Sequence, residues 1–143
     1  MARQLSSADY EQLLRFRTGL RRFLRWSEEE ATAAGLTPAQ HQLLLAIRGH
    51  ADAAAPTIGD VADALLLRHH SAVGLVDRAE AAGLVRRRVD RDDARVVRLA
   101  LTPAGARRLA HLTNAHLEEL AVLASTLGPL SEVLTERGYL RDA

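Results

Sequence analysis

Three threonine-headed helix starts, at positions 37, 57 and 102, constrain this chain more than any other feature. Thr37-Pro38-Ala39-Gln40 is a full capping box. The threonine caps, proline takes the first helical position where its missing N–H is no loss, and glutamine bonds back to the cap. It opens a helix over about 38–49 that carries Leu43, Leu44, Leu45 and Ile47. Thr57-Ile58-Gly59-Asp60 repeats the signal with an aspartate and opens a short helix through Val61, Ala62 and Leu65. Thr102-Pro103 opens a third, and Asp52-Ala53-Ala54-Ala55-Pro56 reads as a loop ended by its proline.

Long helices flank this centre. Residues 8–34 place Leu13, Phe16, Leu20 and Phe23/Leu24 at helical spacing, and a helix of that length spans roughly 40 Å. After Pro103 the stripe Leu109, Leu112, His116, Leu120, Leu123, Leu127 steps by three and four, a seam suited to helix-on-helix packing within or between chains. Gly128-Pro129 is expected to break it, with a final short helix to about Leu140. Two such helices around a small centre suggest a homodimer, with intramolecular packing as the alternative.

Between Thr57 and Leu101 the pattern changes. A helix over about 58–66 is followed, after Leu67-Arg68-His69, by another over about 70–82, with Ala72, Leu75/Val76 and Ala79 as its inward stripe and Gly83 as a left-handed stop. Short helix, tight turn and second helix is the helix-turn-helix plan, whose second helix enters a major groove. Val85-Arg86-Arg87-Arg88-Val89 and the run Arg95 to Leu101 then flank the turn-prone Asp90-Arg91-Asp92-Asp93-Ala94, which predicts a β-hairpin. Residues 86–98 hold six arginines against three aspartates, in a chain whose formal net charge is only +1. The fold class expected is mainly α with a small β-hairpin wing: a winged helix-turn-helix over 37–101, flanked by long N- and C-terminal dimerisation helices at 8–34 and 103–140. Its natural partner is double-stranded DNA.

Composition narrows the remaining classes. At 143 residues, 48% hydrophobic and 26% charged, the chain suits one globular domain. All 19 basic residues are arginine, so their number says less than their placement. Absence of cysteine excludes disulfides, thiolate metal sites and thiol redox sensing. There is no glycine-rich phosphate loop, HExxH or nucleophile elbow, so an enzyme is not expected, nor is a cofactor. No signal-peptide-like run or membrane-length apolar stretch occurs, and a cytoplasmic, non-membrane protein is expected.

Six pieces together resemble one family. They are Thr37-Pro38-x-Gln40, Thr57-Ile58-Gly59-Asp60-Val61-Ala62, Leu75-Val76-Asp77-Arg78, Gly83-Leu84-Val85-x-Arg87, Asp90-x-x-Asp93-x-Arg95 and Leu101-Thr102-Pro103-x-Gly105. In order and spacing, residues 37–110 resemble the MarR (multiple antibiotic resistance regulator) family of bacterial transcription factors. The resemblance implies one MarR-like domain over 1–143, a homodimer joined through its terminal helices, and two winged helices on successive major grooves. It also implies a sensor pocket between the dimer region and each DNA-binding lobe.

The same resemblance assigns roles. Arg95 matches the wing arginine that enters the minor groove, where a weakly hydrated guanidinium meets enhanced negative potential. Asp93 resembles the aspartate that holds it, against the bland reading of a solvated turn ion pair worth roughly 0–1 kcal/mol. Arg87 also fits a family arginine, as a phosphate contact or as a bridge from wing to body. On the second helix Arg68, His69, His70, Ser71, Val73 and Gly74 form the candidate DNA-binding face, Ser71 and nearby amides suiting phosphate. Gly74 replaces a long polar side chain common in relatives, at a helix cost of about 1 kcal/mol. Asp77 and Arg78 suit packing and local charge pairing. Adjacent His69 and His70 point about 100° apart and make a poor chelate, so no metal is expected. His111 and His116 are five apart, with His116 on the apolar seam; Trp26, His41 and Arg15 are candidates for an effector pocket whose residues the sequence leaves unknown. The reading is a sequence-specific DNA-binding regulator, a homodimeric repressor at a pseudo-palindromic operator, relieved by a small-molecule effector. The alternatives are an architectural DNA binder without effector, or a winged-helix protein-interaction module.

Overall fold

In a computed structural model of the chain, the described residues, 4–140, contain α1 (Ser7–Ala33), α2 (Pro38–Arg48), α3 (Ile58–Leu65), α4 (His69–Ala81), β1 (Val85–Val89), β2 (Val97–Leu101) and α5 (Pro103–Glu136). The ends of the expected domain, residues 1–3 and 141–143, lie outside the described residues. The chain divides into two compact units: Glu30–Thr113, and a second built from the residues up to Glu29 together with those from Asn114 onward.

In the first unit, both threonine boxes form as the spacing predicts. Gln40 N donates to Thr37 Oγ1 at 3.1 Å and Thr37 N to Gln40 Oε1 at 3.0 Å. The Thr57 and Asp60 pair repeats the exchange at 3.2 and 2.9 Å. Each box satisfies two of the amides a helix start leaves open. Leu43, Leu44, Val61, Val76, Leu84, Val85, Leu99 and Leu112 are fully buried in one cluster, and each large aliphatic contributes about 1.5–3 kcal/mol.

β1 and β2 pair antiparallel, Val85 opposite Leu101, Arg87 opposite Leu99 and Val89 opposite Val97. Arg95 and Val96, expected in the second strand, belong to the turn. Asp90 N donates to Val96 O and Val96 N to Asp93 O, closing the loop before the ladder starts. A single bridge residue joins β2, where Thr57 pairs with Arg98 and Leu99 N donates to Pro56 O at 2.8 Å. The hairpin is thereby stitched to the start of α3. Gly83 turns the chain from α4 into β1 at φ +73°, as a left-handed stop requires.

The Thr102 hydroxyl caps α5, accepting from Gly105 N at 3.1 Å and donating to Gly83 O at 2.6 Å. A Cβ on Gly105 would lie 2.2 Å from Leu84 O, so only glycine lets α5 lie against the start of the wing.

The second unit consists of α1 up to Glu29 and α5 from Asn114 onward. A Cβ on Gly19 would touch Leu123 Cδ1 and Thr126 at 3.4–3.5 Å. Arg137 forks onto the Asp9 carboxylate, with Nε to Oδ1 at 2.7 Å. Ser27 Oγ and His116 Nε2 are 2.6 Å apart, and Phe23 and Trp26 pack on the imidazole at centroid distances of 5.9 and 4.7 Å.

One expected boundary is corrected: Gly128-Pro129 does not break the C-terminal helix, and α5 runs through Pro129 to Glu136. Proline removes one helical N–H and crowds both the carbonyl four residues back and the residue before it. The residue before it is Gly128, which has no Cβ to be crowded, so the second of these costs is reduced.

Candidate nucleic-acid interface

α3, the turn at 66–68 and α4 realise the helix-turn-helix. Leu66 ends α3 in the left-handed region at φ 55° and Arg68 begins α4. Ala72, Leu75, Val76 and Ala79 are buried beneath α4, as the stripe predicts. That leaves Arg68, His69, His70 and Ser71 exposed and Val73 and Gly74 half-buried. Arg68 at the N-cap makes no side-chain capping hydrogen bond. The first-turn amides thus keep their donor capacity for a partner outside the helix. A Cβ on Gly74 would come within 3.3 Å of Arg78 Nη1, a flexible tip and not backbone.

The wing's arginines divide into two sets. Arg87 is bound inward: its Nη2 lies 2.5 Å from Asp77 Oδ1 and its Nη1 2.7 Å from Glu80 Oε1, while its backbone N donates to Glu80 Oε2 at 3.1 Å. This fork ties β1 to α4, and the carboxylates of Asp77 and Glu80 hold the guanidinium more firmly protonated than usual. Arg87 is thus placed as a bridge from wing to body. Asp77 pairs locally, as expected; Glu80 had no signal beyond its acidity.

Arg95 is placed differently. Its side chain is 90% exposed, yet Asp93 grips it, with Nε to Oδ1 at 3.0 Å, Nη2 to Oδ2 at 2.9 Å and the Arg95 amide to Oδ1 at 3.0 Å. The guanidinium beside Asp93 lowers that carboxyl's pKa. The bidentate grip fixes the plane of the guanidinium and leaves its outer edge, including Nη1, free for acceptors. Arg86, Arg88 and Arg91 are exposed on the same ribbon.

Residues 34–96 match the MarR family. Among solved structures, a MarR family protein from Bacillus stearothermophilus is 27% identical, covering 92% of this chain and 89% of that one at a TM-score of 0.67. The MarR family transcriptional regulator AbsC from Streptomyces coelicolor is 20% identical, with coverage of 94% and 93% and a TM-score of 0.70. A MepR variant from S. aureus, solved bound to an oligodeoxyribonucleotide, is 21% identical, with coverage of 93% and 99% and a TM-score of 0.67. No curated protein matches the chain.

Other expected site residues are scattered across the fold. His41 is buried on α2. Trp26 packs on His116 in the α1/α5 unit, where Arg15 lines an open groove with Glu11, Arg22 and Thr126. His116 is held within its own chain by Ser27. Among the described residues no group of three or more histidines or carboxylates is placed to hold a metal, and no helix is long and apolar enough to cross a membrane.

Proposed function

We propose that this chain is a sequence-specific regulator of transcription that binds double-stranded DNA as a homodimer and represses at a pseudo-palindromic operator, relieved by a small-molecule effector. The observation that carries the reading is the Arg95 fork. An arginine held in a fixed plane at the tip of a protruding hairpin, yet open to solvent on its outer edge, is suited to insertion into a narrow minor groove. The exposed start of α4 supports it, offering Arg68, Ser71 and open amides to phosphate and the His69 and His70 rings as donors. The oligodeoxyribonucleotide bound to the MepR variant supports the same partner class. An effector would act by favouring a lobe arrangement unsuited to successive grooves, which requires different affinities for the two states.

The test is fluorescence anisotropy on a duplex selected by the wild-type protein from a randomised library, with excess unrelated competitor and at two salt concentrations. Arg95→Ala is expected to weaken specific binding by about 1–3 kcal/mol while the oligomeric state is unchanged. Selection that enriches no duplex, or a mutant that binds as well as wild type, rejects the reading.

A further inference from the structure

Arg98 is one of the six wing arginines, and by position it counts among the groups available to phosphate. The structure gives it a different occupation. Its Nη1 donates to Ala55 O at 2.9 Å, a carbonyl 43 residues away in the loop before α3, and its Nε donates to Asp90 Oδ2 at 2.8 Å. The other oxygen of Asp90 accepts the amides of Asp92 and Asp93 at 2.9 and 3.0 Å, and Asp93 grips Arg95. Both members of the Arg98–Asp90 pair are largely shielded, their side chains 26% and 19% exposed, in contrast to Arg95. Arg98 also faces Arg88 directly across the ladder. Like charges at that separation repel, and Asp90 offsets the repulsion from the same strand end.

We infer that Arg98 and Asp90 are positioning residues for Arg95, linking the Ala55 carbonyl in the body of the lobe to the guanidinium at the wing tip through one continuous run of hydrogen bonds. Arg98 donates to both ends of its link through Nε and Nη1 and is largely shielded, which suits a brace of the wing and not a contact to DNA. Asp90 orients the two amides that shape the turn, and the turn orients Asp93. A wing tip so braced meets the groove without first having to order itself, which is how preorganisation raises affinity. The lowered pKa of the Asp90 carboxyl, due first to its hydrogen bond from Arg98, accords with an ion pair that persists at neutral pH.

This inference rests on the DNA-binding reading, and a double-mutant cycle separates the two. Arg98→Met and Arg95→Ala are made singly and together and titrated onto the selected duplex over a range of salt, with thermal unfolding recorded for each. Arg98→Met is expected to weaken binding about tenfold in the wild-type background and to have no further effect in the Arg95→Ala background. It should also leave the slope of log K against log salt unchanged, because no phosphate contact is lost. Asp90→Asn, which keeps an oxygen for the amides but loses the ion pair, is expected to behave the same way. A reduction of the salt slope by about 0.9, or a loss that adds to that of Arg95→Ala, overturns the inference and makes Arg98 a phosphate contact. Equal loss in both backgrounds together with a lowered melting temperature overturns it in favour of a purely structural pair. Failure of the wild type to bind any selected duplex removes the DNA reading and this inference with it.

Discussion

Gly105 shows how one residue can be required by contact and not by turn geometry. It sits in the first turn of α5, where helix propensity favours alanine by about 1 kcal/mol, so an isolated peptide would gain from Gly105→Ala. In the folded lobe the added methyl meets the Leu84 carbonyl oxygen at 2.2 Å, and that oxygen accepts from Thr102 N at 3.0 Å. Leu84 is fully buried, so neither side can yield cheaply. Gly105→Ala is expected to destabilise by about 3 kcal/mol, read as a lowered urea midpoint at unchanged m-value. A midpoint equal to or above wild type would show that α5 can shift away from the wing at no cost. The glycine was legible in the sequence as part of a motif, but its reason was not, because the clashing atom belongs to a strand start 21 positions earlier.

At the scale of elements, legibility followed sequence distance. Both threonine boxes formed as expected because each is complete within four residues. The Asp93–Arg95 grip spans two residues and was equally visible. Arg87 reaches carboxylates seven and ten positions back, across a helix–strand junction, and the sequence left its role divided. The Thr57–Arg98 bridge and the Arg98–Ala55 bond connect segments more than 40 residues apart, where no local pattern registers. Pro129 escapes the local pattern in another way, since α5 continues through a residue type that ordinarily ends a helix. The pair joining α1 to the end of α5 was also unseen, since Asp9 and Arg137 lie 128 positions apart. Its electrostatics are testable. The Arg137 fork, helped by the Ser6 amide and hydroxyl, lowers the Asp9 pKa from 3.8 to about 2. A carboxyl with a depressed folded pKa contributes stability that is fully present above its unfolded value and is lost as pH falls through the folded one. Comparing thermal midpoints of wild type and Asp9→Asn, the gap is expected to be constant above about pH 4.5 and to close between about pH 4 and 2. A gap that persists unchanged at pH 2 would mean that the carboxylate charge contributes nothing to holding these ends together.

For the whole molecule, the question is what covers the α1/α5 unit. Leu13, Leu14, Leu24 and Leu117 there are each more than half exposed in a single copy, and apolar surface gathered on paired helices marks an interaction site more often than a solvated face. A second copy is the occupant that also suits the wing, because two lobes joined by a two-fold axis read half-sites about one helical turn apart. Joining them makes the second contact intramolecular and so raises affinity without any new side chain. Sedimentation of the wild type is therefore expected to give a mass near twice the chain's 15.6 kDa at micromolar concentration. Leu117→Glu is the sharper probe: at 62% exposure the side chain supports little of its own protomer's core, so a charge there should leave helicity and the melting of the lobe intact. If the face is an interface between copies, the variant should sediment as a monomer and lose at least tenfold in affinity for a two-half-site duplex, on the order of the avidity a linked second site supplies. Its affinity for a single half-site should stay the same. A variant that remains dimeric moves the interface elsewhere on these helices. A wild type that is monomeric at every concentration removes the two-fold arrangement, and with it the expectation of a palindromic operator.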